Sequence, residues 1–248
     1  MTLRIDKLSE RAIYNSLKTQ LGKEFVFLSE EIGEVSNLDD QAGELPLVVC
    51  DPLDGSHNAE VGIPVFCIAL SVIESSSGSE RKFGNIKNAL IRSVKTEDEY
   101  SAEKGRGAFY NGRKPKPFSR PSSSGIQTLL IETSDVDYLR EKILAKLSKS
   151  DVNKMRLLGS AAMSYCMLAE RSADALIFAQ PGGARTIDSP AGFLIAKEAG
   201  CVFSNLTEAS QSKSVEDIEV GFSSRANIVG AVNSGVLSSL KDKLVSLP

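Results

Sequence analysis

The sequence has little of the material from which several common functional sites are built. It contains one histidine, His57, and its four cysteines show no Cys-x-x-Cys spacing. One histidine cannot make a histidine-rich metal centre. The scattered cysteines in apolar surroundings favour buried free thiols over a zinc site or a disulfide framework.

Two larger features are also missing, an excess of basic residues and a long apolar run. The 29 Lys and Arg residues are balanced by 32 Asp and Glu residues, so no broad basic surface is available to neutralise a nucleic-acid backbone. The longest apolar stretches are about ten residues, too short to cross a bilayer, and residues 1–20 lack the apolar core of a secretory signal. We therefore expect a cytoplasmic protein with no nucleic-acid or membrane partner.

The residues that are present form recognisable helix and strand patterns. Leu8, Ala12, Ile13, Leu17 and Leu21 have helical spacing, with Asp6 at the start of the helix. A strand is expected in "FVFLSEE", a run of antiparallel strands from "VFCIALSVIE" to "GAFYNG", and a linker in the Pro/Ser/Gly-rich stretch "KPFSRPSSSG". This linker predicts an N-terminal domain at 1–122 and a C-terminal domain at 123–248.

In the second half, strands are expected in "IQTLLIETS" and "DALIFAQ" and helices in three segments. The first helix is "VDYLREKILAKLS", and the second is "GSAAMSYCMLAERSA" with Ser160 as its cap. The third begins beside Asp188, with Ser189 as the cap, Pro190 in the first turn and Gly200 at the end.

Asp51 and Asp54 follow a buried strand in "VVCDPLDGSH", and this stretch is the centre of the candidate site. Mg²⁺ and Mn²⁺ prefer carboxylate and carbonyl oxygens, and two carboxylates with the Leu53 carbonyl between them can hold one or two ions. The amides of Gly55, Ser56 and His57 would then face an anion, which together with the cations makes a phosphate site. An acidic β-turn is the alternative explanation of this stretch alone.

Other acids in the chain carry ordinary alternatives of the same kind. Glu30 and Glu31 in "LSEE" can be a solvated strand end, and Asp188 and Asp6 can be helix caps. His57 can be a structural residue or lie at the rim of the site.

Taken in order, "LSEE", "DPLDGSHNAEVGIP" and "IDSPAGFLIAKEAG" resemble the motifs of the inositol monophosphatase superfamily. The similarity extends to "AEKGRGAFYNG" and "RLLGSAAMSYCMLAERSADA" and covers most of the chain from Asp6 onward. The resemblance implies an α+β fold, the layered α-β-α-β-α sandwich of the sugar phosphatases (inositol monophosphatase and fructose-1,6-bisphosphatase). It also implies hydrolysis of small phosphomonoesters, such as inositol monophosphate or fructose 1,6-bisphosphate, by a metal-activated water. Dependence on Mg²⁺, for which Mn²⁺ may substitute, inhibition by lithium and a homodimer are implied in the same way.

By motif position, the resemblance implies a role for each candidate residue. Glu30 would orient the water, and Ser56 would pair with Asp6. The metal ligands would be Glu30, Asp51, Leu53 through its carbonyl, Asp54 and Asp188, and the phosphate would be held by Gly55, Ser56 and His57.

The chain departs from the family pattern in ways that bear on its substrate. Only five residues precede Asp6, fewer than is usual in the family, which suggests a shortened member or a sequence without its natural beginning. Ile187 replaces a common Trp, and Phe178 stands near the position of an acid that grips inositol hydroxyls. Arg185 resembles the archaeal members that act on inositol phosphates and fructose 1,6-bisphosphate, and is expected to bind a second phosphate unless it makes a structural ion pair. The alternatives are a 3′(2′),5′-bisphosphate nucleotidase of the same fold and a catalytically silent binding or regulatory member.

Overall fold

The structure, a computed structural model, describes residues 4–21, 24–36, 45–74, 80–114, 125–206 and 214–244. The domain boundary expected at residues 122 and 123 lies outside these ranges, as does nearly all of the expected linker, so the division into two domains stays a prediction. No helix in the described ranges is long and apolar enough to cross a membrane.

The first half of the described chain builds a seven-stranded sheet in the order β2-β1-β3-β4-β5-β6-β7. β1 runs parallel to β3, and β3 to β7 form an antiparallel meander, of which β4 to β7 are the antiparallel run predicted from the sequence. The strands are β1 (Val26–Ser29), β2 (Gly33–Ser36), β3 (Leu47–Asp54), β4 (Cys67–Ile73), β5 (Ile86–Ser93), β6 (Glu99–Glu103) and β7 (Gly107–Tyr110).

The second half builds a five-stranded sheet in the order β12-β14-β10-β8-β9, with a short separate pair formed by β11 and β13. β8 is parallel to both of its neighbours, β9 and β10, so the three strands end at the same edge of the sheet. The strands are β8 (Ile126–Glu132), β9 (Val152–Arg156), β10 (Ala175–Phe178), β11 (Ala184–Arg185), β12 (Val202–Asn205), β13 (Arg225–Ala226) and β14 (Ile228–Ala231).

The helices lie on and between the two sheets and complete five layers. α1 packs on the outer face of the first sheet, α4 and α5 lie between the sheets, and α6 covers the outer face of the second. This arrangement confirms the layered α+β fold. The helices are α1 (Arg4–Leu21), α2 (Ser56–Val61), α3 (Val136–Tyr138), α4 (Ala161–Ala169), α5 (Pro190–Glu198) and α6 (Ser234–Leu244).

The middle layer is the largest part of the core, and a glycine permits its closest contact. A Cβ at Gly192 of α5 would lie 2.6 Å from the Cβ of Tyr165 of α4, which no side chain can tolerate. The glycine therefore lets the two helices pack tightly. All four cysteines are free and buried, as their sequence contexts predict.

The predicted helix ends are largely confirmed. The Ser160 side chain accepts a hydrogen bond from the Met163 amide at the start of α4, and Gly200 ends α5 with a φ of +88°. Ser189 occupies the N-cap position of α5, but its side chain makes no capping hydrogen bond. Its φ of −113° and ψ of −20° are not the extended conformation in which a serine usually caps a helix.

The helix predicted over residues 136–148 is confirmed as a helical segment over residues 136–146, but it is not a regular α-helix. The chain makes only three α-helical residues there, followed by a π-helical turn at Leu139–Ile143 and a 3₁₀ turn at Leu144–Lys146. Tyr138 and Ile143, five residues apart, are both buried. An α-helix would direct these two side chains apart, whereas a wider π-helical turn brings positions five apart onto one face.

Candidate active site

Parallel pairing of β1 and β3 brings the first two acids together. Ser29 lies opposite Cys50 in the register of the two strands. Because the carboxyl ends of parallel neighbours meet at one edge, Glu30 and Asp51, the next residue of each strand, lie side by side. The sequence signal common to both is an acid placed directly after four buried strand residues, Val26–Ser29 for Glu30 and 47–50 for Asp51.

A β-bulge in β3 then sets the path of the chain into α2. The pairing with β4 passes from Asp51 opposite Ala69 to Asp54 opposite Cys67, so β3 has one extra residue. The Asp51 side chain braces this bulge because its Oδ1 accepts the Leu53 amide at 3.0 Å. Gly55 follows with a φ of +84°, and a Cβ there would lie 2.8 Å from the Val65 carbonyl oxygen, so only glycine fits before α2.

Asp188 reaches the same place from the second half of the chain. It ends a 3₁₀ turn, Thr186–Asp188, immediately before α5. Oxygen atoms of Glu30, Asp51 and Asp188 all lie within 4.8 Å of one another. We call these three residues the carboxylate cluster. Asp188 does not cap α5 in this structure, because its Oδ1 is buried without a hydrogen-bond partner within the described residues and its Oδ2 lies 3.4 Å from Arg185 Nε.

Burial and mutual repulsion make the ionised forms of these acids unfavourable. Burial raises the pKa of Asp51 well above its usual range, and the charges of Asp54, Asp188 and Glu30 add to the effect. Burial also raises the pKa of Asp188, to about 7, although the Arg185 guanidinium opposes the shift. Such a site favours a bound cation.

Arg185 contacts two members of the carboxylate cluster. Its Nη1 donates to Glu30 Oε1 at 2.6 Å, and its Nε lies 3.4 Å from Asp188 Oδ2. The structural ion pair considered for Arg185 is therefore present. Its predicted contact with a second phosphate stays a prediction.

Asp54 is held differently from the three clustered acids. It accepts hydrogen bonds from the Ser160 hydroxyl at 2.5 Å, from the Ala161 amide at 3.2 Å and from the Ala162 amide at 2.8 Å. Burial raises its pKa, and the hydrogen bonds from Ser160 and these amides oppose that shift. Asp54 thus joins the first sheet to the start of α4, and its role as a metal ligand stays a prediction.

The remaining predicted residues lie around the carboxylate cluster. Asp6, Leu53 and Ser56 line a cavity of about 160 Å³ together with Glu30 and Asp51. The hydrogen bond expected between Ser56 and Asp6 stays a prediction. Gly55 borders a second cavity on the side of Asp188 and Arg185. The His57 side chain is exposed and lies 3.6 Å from Glu60, so only its amide remains a candidate for binding phosphate.

Sequence reasoning missed two residues that fix the geometry of the site. Asn58 donates through its side-chain nitrogen to the carbonyls of Val65, Leu158 and Gly159, which ties α2 to the turn before α4. Glu132 accepts the amides of Leu158 and Gly159 from the other side of that turn. Glu132 ends a buried strand just as Glu30 follows one, so the same sequence signal would have found it.

The donor set fits a hard divalent cation. The carboxylate cluster offers oxygen atoms close enough to share one ion, and one of them, Asp188 Oδ1, has no partner among the described residues. Carboxylate oxygens are the ligands that Mg²⁺ and Mn²⁺ prefer, and the second cavity beside the cluster, about 270 Å³, can admit a small phosphate ester. Fold and site together define a two-sheet protein with an acidic, cation-binding cleft.

Comparison with known proteins places this cleft in a family. The model of the inositol monophosphatase family matches residues 2–242, and the chain belongs to that family. A fructose-1,6-bisphosphatase/inositol-1-monophosphatase of Thermococcus kodakarensis is 29% identical over 248 residues, which are 100% of this chain and 84% of the relative. An enzyme with the same name from Methanocaldococcus jannaschii is 30% identical, over 96% of this chain and 83% of the relative.

Solved structures agree with this assignment. A Pyrococcus horikoshii protein described as similar to inositol-1 monophosphatase superposes on this chain with a TM-score of 0.74 at 29% identity. The superposed region covers 98% of this chain and 84% of the Pyrococcus horikoshii chain. The expected sugar phosphatase fold is thereby confirmed.

Proposed function

We propose that the protein hydrolyses small phosphate monoesters of sugars or polyols with the help of Mg²⁺ held by the carboxylate cluster. Family membership and relatives named as phosphatases make it a phosphoric monoester hydrolase. The observation that carries the finer proposal is the approach of Glu30, Asp51 and Asp188 within 4.8 Å of one another in the lining of a cavity.

Each residue of the cleft has a defined task in this proposal. Asp51 and Asp188 hold the cation, with Glu30, Asp54 and the Leu53 carbonyl as further ligands. When bound, Mg²⁺ supplies positive charge that polarises the phosphoryl group and makes a water molecule a stronger nucleophile.

The chain's own residues orient the other reacting groups. Arg185 occupies Oε1 of Glu30, which leaves Oε2 to accept a hydrogen bond from the attacking water. Gly55, Ser56 and the His57 amide stand at the start of α2, where backbone N–H groups and the Ser56 hydroxyl can donate to phosphate oxygens.

A phosphate-release screen tests this proposal directly. Purified protein is incubated with a panel of metabolite phosphates, including inositol 1-phosphate, fructose 1,6-bisphosphate and NADP, with Mg²⁺ and with excess EDTA. We expect turnover of sugar or polyol phosphates only with Mg²⁺. Undiminished turnover in EDTA would remove the metal mechanism.

The same screen separates the two alternatives. NADP belongs on the panel because a bifunctional NADP phosphatase/NAD kinase of Methanococcus maripaludis is 30% identical over 80% of this chain and 36% of its own length. Preference for nucleotide substrates would favour the nucleotidase, and no release from any substrate would favour a silent family member. Lithium inhibition and a homodimer belong to the same proposal, and an assay with LiCl and light scattering measure them.

A further inference from the structure

Glu10 is a carboxylate side chain in the protein interior that the proposed function does not use. It lies on the buried face of α1 and is 0% exposed. Burial raises the pKa of the Cys50 thiol, and the nearby charges of Asp51 and Glu10 add to the shift. Cys50 precedes Asp51 in β3 and lies opposite Ser29 in β1. Glu10 is therefore close to the ends of the two strands from which Glu30 and Asp51 extend.

The Glu10 side chain holds the hairpin turn between β1 and β2. These antiparallel strands close at the pair of Ser29 and Gly33, and residues 30–32 form the turn. Glu10 Oε1 accepts the backbone N–H of Ile32 at 3.1 Å, across 22 residues of the chain. This contact fastens the last residue of the turn to α1.

The same turn presents two acids to the cleft. Glu30 is its first residue and belongs to the carboxylate cluster, and Glu31, the second, lines the cavity of about 160 Å³ beside Asp51. Arg185 holds the Glu30 side chain through Oε1, at 2.6 Å. The turn is thus fixed at two places, by Arg185 at its first residue and by Glu10 at its last.

Stability alone explains the interior position of Glu10 poorly. Its Oε2 is buried and has no hydrogen-bond partner within the described residues. A buried acceptor without a partner costs stability, and an apolar side chain of similar length would fill the same space without that cost. What the carboxylate supplies, and an apolar side chain cannot, is the acceptor for the Ile32 amide.

We propose that Glu10 is a positioning residue of the cleft, which fixes the hairpin turn through the Ile32 amide and thereby holds Glu30 in the carboxylate cluster. The inference rests on the proposed phosphatase function and adds a residue of α1 to that site. A misplaced Glu30 would perform both of its proposed tasks less well, the binding of Mg²⁺ and the orientation of the attacking water. The phosphate-binding groups at the start of α2 belong to another segment and should be unaffected.

Three variants of Glu10 separate the acceptor from the space that the side chain fills. Glu10→Met has a similar length and no acceptor, and Glu10→Asp keeps the carboxylate but is one methylene too short to reach Ile32. Glu10→Gln keeps an acceptor oxygen at full length and should behave like the wild type. Tyr14→Leu is the matched control for lost packing of α1, since Tyr14 lies one helical turn away and its ring contacts Phe25 and Phe27 at centroid distances of 5.9 and 5.4 Å.

Mg²⁺ affinity and turnover report the position of Glu30. We expect Glu10→Met and Glu10→Asp to weaken Mg²⁺ binding by about tenfold, the lower end of the range for residues that orient metal ligands. Titration calorimetry with MgCl₂ measures this in the absence of substrate. At saturating Mg²⁺, kcat for the ester that the phosphate-release screen finds to be turned over fastest should also fall by about tenfold, with KM nearly unchanged.

Amide hydrogen exchange at Ile32 reports the contact itself. Ile32 lies on a surface turn and is 42% exposed, so slow exchange of its N–H requires protection by the Glu10 carboxylate. We expect slow exchange in the wild type, Glu10→Gln and Tyr14→Leu, and faster exchange in Glu10→Met and Glu10→Asp. Circular dichroism in EDTA shows which variants fold, and the other measurements are made on those.

The inference would be overturned by rapid exchange of the Ile32 amide in the wild type, or by folded Glu10→Met or Glu10→Asp that binds Mg²⁺ and turns over like the wild type. Equal losses in Tyr14→Leu or in Glu10→Gln would overturn it too. Failure of both Glu10→Met and Glu10→Asp to fold would make Glu10 a residue of the core and end the positioning role.

The wild type separates these outcomes from failure of the proposed function. If it releases phosphate with Mg²⁺, the phosphatase function stands whatever the variants of Glu10 show. A wild type that neither binds Mg²⁺ nor hydrolyses any compound of the phosphate-release screen would overturn the proposed function and this inference with it.

Discussion

A divalent cation should stabilise the folded protein through the carboxylate cluster, and Asp51→Asn should remove most of that stabilisation. The substitution removes one negative charge, while the new side chain still has an oxygen to accept the Leu53 amide that Asp51 accepts at 3.0 Å. The bulge in β3 should therefore keep its shape. Any change in the response to Mg²⁺ then reports on the charge.

The expected size follows from the separations within the cluster. Two ionised carboxylates within 4.8 Å of each other repel by roughly 3.5 kcal/mol or more at an effective dielectric constant near 20. Arg185 offsets part of this repulsion through its contacts with Glu30 and Asp188. In EDTA, Asp51→Asn should thus be at least as stable as the wild type, because wild-type Asp51 must either keep a repelling charge or take up a proton at its raised pKa, and the asparagine does neither.

Mg²⁺ should reverse this order of stability. At about a hundredfold excess over Kd, a ligand that binds only the folded state stabilises it by about 2.7 kcal/mol. For a chain of this size that corresponds to a rise in Tm of about 5–10 °C. Asp51→Asn should show a small part of this rise.

Thermal unfolding followed by circular dichroism, in EDTA and in Mg²⁺, measures both effects without any assay of activity. Asp137→Asn is the control, since its side chain is 78% exposed and pairs only with Arg140 among the described residues. NaCl at matched ionic strength separates ion binding from screening. A loss of stability of Asp51→Asn in EDTA, or equal Mg²⁺ responses of all three proteins, would refute this reasoning.

Five further substitutions probe the individual roles in the cleft. Asp188→Asn should fold normally and lose activity by several orders of magnitude, and a variant that keeps most of its rate would mean that Asp188 is not a ligand. Glu30→Gln should lower kcat by about a hundredfold and Glu31→Gln much less; reversed effects in steady-state assays would exchange the two assignments. Ser160→Ala should lower the free energy of unfolding by about 1–2 kcal/mol in urea titrations, because it removes both the cap of α4 and a hydrogen bond to Asp54; an unchanged midpoint would contradict this. Arg185→Ala should lower kcat/KM for fructose 1,6-bisphosphate more than for inositol 1-phosphate, and an equal loss on both would leave Arg185 as a structural ion pair.

The parts of the fold that the sequence predicts are those governed by local pattern. Alternating apolar residues identify β4 and β5, and Ser160, Pro190 and Gly200 correctly mark helix ends. The segment 136–148 is helical over residues 136–146 as predicted, but its π-helical turn, which brings the buried Tyr138 and Ile143 onto one face, depends on tertiary packing and not on local pattern.

Contacts between distant segments cannot be derived from such patterns. Ser160 and Asp54 are 106 residues apart in the chain, yet they share a buried hydrogen bond. Local spacing shows that Ser160 can cap α4, and it gives no information about the second partner of its hydroxyl. The same holds for Arg185, which lies 155 residues from Glu30.

The same sequence signal, an acid at the end of a buried strand, produces two different sites, and the surrounding donors explain why. Glu132 receives three hydrogen bonds from residues 158–164, and they oppose the effect of burial, which raises the pKa of Glu132 to about 7. Asp51 receives one, from Leu53, and faces three other acids. An acid with several donors can hold a turn, as Glu132 does, whereas an acid surrounded by acids favours a bound cation. Those donors come from distant segments, so the fold, beyond the local sequence, determines which of these acids are suited to bind metal.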